Sequence, residues 1–110
     1  MRRLLVLFLL VTAPSDEKLT IRVTPTTLFG GGAIRLTCRV PRDPDNRRLE
    51  YGVEGYTSSE RQLDGEASRV TWDALIDHVP CGVERVFCEV TRADRKRVRA
   101  TAPLVVVCEG

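Results

Sequence analysis

Apolar residues recur at every second position along much of this chain, and no stretch sustains a 3.6-residue period. Such alternation puts the apolar set on one face of an extended segment, so it calls for half-buried strands and excludes any helix longer than about two turns. In KLTIRVT, Leu19, Ile21 and Val23 share a face, opposite Lys18, Thr20, Arg22 and Thr24. AIRLTCRV groups Ile34, Leu36, Cys38 and Val40, RLEYGVE groups Leu49, Tyr51 and Val53, and RVTWDALI groups Val70, Trp72, Ala74 and Ile76. Between them TPTTLFGGG, PRDPDN, SSERQLDGE and DHVPCG have the composition of turns. Short strands at this spacing predict an all-β domain, an antiparallel sandwich or barrel.

The C-terminal third reads as a hairpin. RVFCEVT aligns Val86, Cys88 and Val90, with Arg85, Phe87 and Glu89 on the other face, and RVRATAPL aligns Val98, Ala100, Ala102 and Leu104. Opposed residues of an antiparallel pair share a face. The predicted register therefore sets Val86 against Leu104, Cys88 against Ala102 and Val90 against Ala100, with the turn centred on Arg95.

That register constrains the four cysteines, Cys38, Cys81, Cys88 and Cys108. Cys81 and Cys88 are one strand length apart, roughly 20 Å, whereas a disulfide needs its Cα atoms within about 7 Å. Cys88 and Cys108 fail in the same way, because the partner of Cys88 lies six residues from Cys108. Cys38–Cys88 and Cys81–Cys108 remain. The gaps of 43, 7 and 20 residues contain no C-x-x-C pair and the chain has one histidine, so no zinc site and no other metal site is expected.

A cysteine in LTCRV, a second in VFCEV fifty residues on, and Tyr51 thirteen residues after the first together resemble the core of an immunoglobulin-like domain. VTPTTLFGGGAIRLTC resembles the first turn and strand B of such domains, and the resemblance spans about residues 18–108. It implies a two-sheet antiparallel β-sandwich of about seven strands, with B at 33–40, C at 47–54, E at 69–76, F at 85–92 and G at 97–107. Tyr51 stands where the family has a tryptophan and Val86 where it has a corner tyrosine, while PCGVE is similar to the fibronectin type III loop; the chain reads as a divergent member. The Cys81–Cys108 bridge is an addition to the family pattern.

MRRLLVLFLLVTAPS has two arginines, a short apolar block from Leu4 to Val11 and small residues after it, the layout of a secretory signal peptide. Residues 1–15 are thus expected to be removed, leaving one domain over 16–110, secreted to a periplasmic or extracellular location without a transmembrane segment. Removal takes away Arg2 and Arg3 and leaves 15 basic against 15 acidic side chains, so no global charge calls for nucleic acid.

Catalytic signals are absent from the sequence, which is expected to be no enzyme and to need no cofactor. His78 falls in a turn without a nucleophile elbow, and neither Asp43 with Asp45 nor Glu50 with Glu54 has calcium-loop spacing. The glycines at 30–32 lack the Lys and Ser or Thr of a phosphate loop, and Trp72 has core parity. One cluster remains. The turns before strand C and between F and G fall at one end of such a fold, and they bring Arg42, Arg47 and Arg48 near Arg92, Arg95, Lys96, Arg97 and Arg99. Arg47, Arg48, Arg95, Lys96 and Arg97 are the candidate ligand residues, for a protein, an anionic polysaccharide or a lipid head group. The expected function is an exported binding or adhesion module at the cell surface. The alternatives are a structural subunit of a surface or envelope assembly, held by edge-strand pairing, and a secreted enzyme inhibitor.

Overall fold

A computed structural model describes residues 18–65 and 71–109. They form nine strands: β1 (Thr20–Thr24), β2 (Thr27–Phe29), β3 (Gly32–Arg39), β4 (Asn46–Val53), β5 (Thr57–Gln62), β6 (Thr71–Val79), β7 (Arg85–Arg92), β8 (Arg97–Pro103) and β9 (Val105–Val107). One sheet has the order β1-β3-β6, a second β5-β4-β7-β8, and β2 pairs with β9. The protein is all-β, as the alternation predicted. The proposed leader, residues 1–15, lies outside the described residues, as does Val70.

The strand count and the pairing differ from expectation. β5 occupies SSERQ, which has the composition of a turn; it is an edge strand with most side chains exposed, so it needs no apolar alternation, and backbone pairing to β4 holds it. TPTTLFGGG contains β2, which runs parallel to β9 rather than antiparallel. The predicted strand at 97–107 is broken at Pro103, which has no N–H to donate. Beyond it the amide of Leu104 donates to Glu84 O at 2.9 Å, and that of Val105 donates to Thr26 O at 2.9 Å, carrying the chain over to β2.

The hairpin register is also corrected. Val86 opposes Ala102, Cys88 opposes Ala100 and Val90 opposes Val98, two residues from the predicted alignment. The cause is the turn. The Arg95 amide donates to Arg92 O at 2.8 Å, the Arg92 amide donates to Lys96 O at 2.9 Å, and Arg95 takes φ of 71°. This is a three-residue loop ending in a left-handed residue, and it centres the hairpin on Asp94. A two-residue shift keeps every side chain on its face, so the predicted alternation survives.

Ile34, Leu36 and Cys38 of β3, Leu49 and Val53 of β4, Val79 of β6, and Val86, Cys88 and Val90 of β7 are fully buried in one cluster. Each aliphatic side chain so buried contributes about 1.5–3 kcal/mol. Trp72, Ala74 and Ile76 of β6 are half-buried against that cluster. Cys38 is bonded to Cys88 with Cα atoms 6.1 Å apart, tying the three-stranded sheet to the four-stranded one. Cys81 is bonded to Cys108, Cα atoms 5.1 Å apart, joining the turn after β6 to the residue after β9. These are the pairs selected by the register argument, and two disulfides suit a non-reducing compartment. Among the described residues no helix is long and apolar enough to cross a membrane.

Candidate ligand-binding end

The segment from Val40 to Asp45 and the β7–β8 turn meet at one end of the four-stranded sheet because β4 and β7 are neighbours there, with Asn46 opposite Arg92. Asn46 is buried and its side-chain amide donates to Pro41 O at 2.9 Å, while its backbone amide donates to Asp43 O at 3.1 Å. The Asp43 carboxylate accepts from the Asp45 amide at 2.8 Å and lies 3.8 Å from the Arg92 guanidinium. The Ala93 amide donates to Asp45 O at 2.8 Å, locking one loop to the other. A rigid base of this kind presents the hairpin tip.

The five candidate cations separate into two groups. Arg47 turns back on its own loop, donating to Pro44 O at 2.8 Å and Asn46 O at 2.9 Å. Arg48 pairs with Glu60 of β5 at 3.9 Å, and Arg97 with Glu89 of β7 at 3.7 Å. Arg95 and Lys96 stand exposed at the tip, and neither side chain has a hydrogen bond or ion pair among the described residues. Arg42 is exposed in the facing loop. The Asp94 carboxylate is used locally, accepting from the Lys96 amide at 2.9 Å.

Arg99, grouped with this cluster by sequence, belongs to the outer face of the sheet. It pairs with Glu54 at 2.7 Å and with Glu89 at 3.0 Å. The hydrogen bond to Glu54 is the largest cause that raises the Arg99 pKa; burial opposes it, and Glu89 adds to it. Arg85 also approaches Glu54, at 3.5 Å. The sequence offered a signal for this network, since Glu89 and Arg99 are cross-strand partners. The two-residue error in register hid it. Beside Arg99 a shallow recess of about 500 Å³ is lined by Glu50, Glu54, Tyr56 and Phe87. His78, expected in a turn, is the exposed penultimate residue of β6 and has φ of 55°.

No family model and no curated relative matches the chain in sequence. Solved structures match in shape. The fold is similar to that of superoxide reductases. The superoxide reductase (neelaredoxin) of Ignicoccus hospitalis superposes with a TM-score of 0.61 at 11% identity, over 82% of this chain and 80% of that one. The sporulation control protein Spo0M of Bacillus subtilis gives a TM-score of 0.53 at 11% identity, over 84% of this chain and 49% of its own.

The expectation that the chain is no enzyme is corrected by the first of these: proteins of this shape include superoxide reductases. The chain's sequence shows no nucleophile, acid–base or metal motif, but an activity resides in a site grafted onto a fold and is not excluded by the fold. At 10–12% identity the likeness carries the architecture alone. Reduction of superoxide requires a redox-active group. Among the described residues no three or more His, Cys, Asp or Glu side chains gather as metal ligands, and no cysteine is free. The described residues therefore offer no ligand set for a redox metal.

Proposed function

We propose that the chain is an exported, immunoglobulin-like β-sandwich that acts as a binding module, engaging an anionic partner at the β7–β8 hairpin tip. The disulfide between the two larger sheets and a core drawn from both support the sandwich reading. The paired cysteines support export, since such bonds persist in oxidising compartments. The observation that carries the binding reading is Arg95. It occupies the left-handed position of a three-residue loop, where glycine is favoured, and its side chain is exposed and has no partner among the described residues. A bulky residue held in that conformation costs of order 1–2 kcal/mol, and such strain concentrates where a side chain is needed for recognition. Lys96 beside it and Arg42 across from it supply like charge.

Sulfate, phosphate and carboxylate groups share the chemistry that an arginine fork recognises. Titrating heparin and, separately, phosphatidylglycerol vesicles distinguishes a polysaccharide from a lipid surface. Replacing Arg95 and Lys96 by Ser should weaken binding without lowering Tm, and wild-type affinity should fall as the screening length shrinks from ~30 Å at 0.01 M salt to ~8 Å at 0.15 M. Binding that ignores both changes overturns the reading. The export component is tested by the intact mass of secreted protein, expected to begin near Asp16.

A structural-subunit reading has its own support. β1 and β8 are each one edge of their sheets, and a cleft of about 520 Å³ lined by Ile21, Val23, Ala102 and Val105 lies between them. Edge pairing would give concentration-dependent oligomers by sedimentation; a monomer at all concentrations removes it.

A further inference from the structure

A second basic surface, away from the hairpin tip, covers the outside of the three-stranded sheet. Along β1 and β3 the apolar side chains Ile21, Val23, Ile34, Leu36 and Cys38 belong to the core, so the alternate positions Arg22, Arg35 and Arg39 project outward, and all three are exposed. The register places Arg22 opposite Thr37, and Thr37 lies between Arg35 and Arg39 on β3. Arg22 is thus diagonal to both other arginines, about 7–8 Å away across the strands. Arg35 and Arg39 are four residues apart on one strand, about 13 Å. The three arginine positions form a triangle on the sheet, bordered by the exposed Thr20, Thr24 and Thr71.

None of the three arginines has a side-chain hydrogen bond or ion pair among the described residues. The opposite sheet behaves otherwise: Arg48, Arg85, Arg97 and Arg99 each face a glutamate. On β6 the acids of the basic face are Asp73, which accepts from the Thr37 hydroxyl at 2.6 Å, and Asp77. With Lys18 at the entrance to β1, cations outnumber those acids four to two. One sheet face is charge-balanced internally and the other keeps its positive groups available.

We propose that this face is a docking surface for a linear anionic polysaccharide, gripped by Arg22, Arg35 and Arg39. Charge complementarity selects an anion, and arginines carried on strand positions ~13 Å apart fit a length of polymer better than one head group. Arginine forks hold sulfate or carboxylate with two hydrogen bonds each, and the intervening threonine hydroxyls can exchange hydrogen bonds with sugar hydroxyls. A single-stranded nucleic acid would need aromatic platforms for its bases. Among the described residues this face has none, since Trp72 packs against the core. A membrane would need several apolar side chains to insert, and Leu75 is the single large one exposed on this face among the described residues.

The surface is separate from the hairpin tip, and the proposal does not rest on that reading. The test is titration of labelled heparin with Arg22→Ser/Arg35→Ser/Arg39→Ser, made in the wild-type chain and in the Arg95→Ser/Lys96→Ser background. All three sites are exposed, so Tm should hold. The expected result is a rise in heparin Kd of about tenfold, of similar size in both backgrounds, with the triple Lys variant falling between wild type and triple Ser. No loss in the wild-type background, or a loss that disappears once Arg95 and Lys96 are gone, overturns the proposal. So does tighter wild-type binding to a single-stranded DNA oligomer or to phosphatidylglycerol vesicles than to heparin. Failure of the hairpin-tip reading shows separately, as an Arg95→Ser/Lys96→Ser variant that binds like wild type.

Discussion

The guanidinium of Arg99 lies 4.3 Å from the centre of the Phe87 ring, on the outer face of the four-stranded sheet. Phe87 points away from the core, yet it is 6% exposed, and the arginine above it is anchored by Glu54 and Glu89. The aromatic ring is therefore roofed by a salt-bridge network and offers no apolar docking surface. Arg99→Ala removes the roof and leaves the nearly buried Glu89 with Arg97 alone. It should cost about 1–2 kcal/mol in urea unfolding, part from the cation–π contact and part from the charge-assisted hydrogen bonds. A change indistinguishable from zero would mean that water replaces the arginine without loss.

The same network fixes the sign of one pH response. Because the Arg99 pKa is raised in the folded state, chiefly by Glu54, its contribution is complete below the ordinary arginine value and is lost only as pH rises through the raised one. Changing pH from 6 to 9 should therefore leave the difference in stability between wild type and Arg99→Ala constant. A difference that shrinks on the alkaline side of this range would contradict it.

Arg95→Gly should separate stability from binding. Glycine relieves the left-handed backbone at φ 71°, so Tm should rise, corresponding to a gain of up to about 1 kcal/mol. Affinity for the anionic probe should fall. If both rise together, the strained arginine is not retained for recognition.

Gly52 is fixed by proximity. A Cβ there would come 2.1 Å from Thr57 O and 2.8 Å from the Ser58 Cα, both backbone atoms of β5. Gly52→Ala must push β5 off β4, at a cost of about 3 kcal/mol or more. At Gly55, φ is +82° and a Cβ meets nothing within 4 Å, so Gly55→Ala should cost only about 1 kcal/mol of backbone strain. Chemical denaturation of the two variants side by side checks the order.

The two disulfides should open in sequence. Cys38 and Cys88 are 1% and 0% exposed, whereas Cys81 and Cys108 are both exposed. Mild reductant under native conditions should release Cys81 and Cys108 first, read by alkylation and peptide mass. Cross-link entropy gives the bridges similar weight, about 4 kcal/mol for the 50-residue separation and about 3.5 for the 27-residue one. Removing the buried pair should cost more than removing the exposed one, by more than that difference, because it also leaves a cavity in the core. Equal rates of reduction would show that the core opens as readily as the edge.

The alternation of Ile34, Leu36 and Cys38, of Leu49, Tyr51 and Val53, and of Val86, Cys88 and Val90 determined by itself which side chains enter the core, because a strand's period is a local property of the backbone. Cysteine spacing and strand length fixed the disulfide pairs for the same reason. Local pattern did not reach the pairing that depends on distant chain. β5 shows no alternation because an edge strand exposed on its surface is selected by hydrogen bonds to β4, and β2 acquires strand geometry only from β9, far along the sequence. The hairpin register turned on the φ of one residue, Arg95, which no composition rule assigns to a left-handed conformation. That register in turn decided which of the hairpin's cations are paired. Arg99 was set opposite Glu89 and Arg97 diagonal to it, 3.7 Å away, while Arg95 and Lys96 at the tip were left without partners among the described residues; on the other sheet Arg22, Arg35 and Arg39 are likewise without partners there. A sequence states how many charges a chain carries; which of them neutralise one another depends on cross-strand distances of a few ångströms, and those exist only once the sheets have formed.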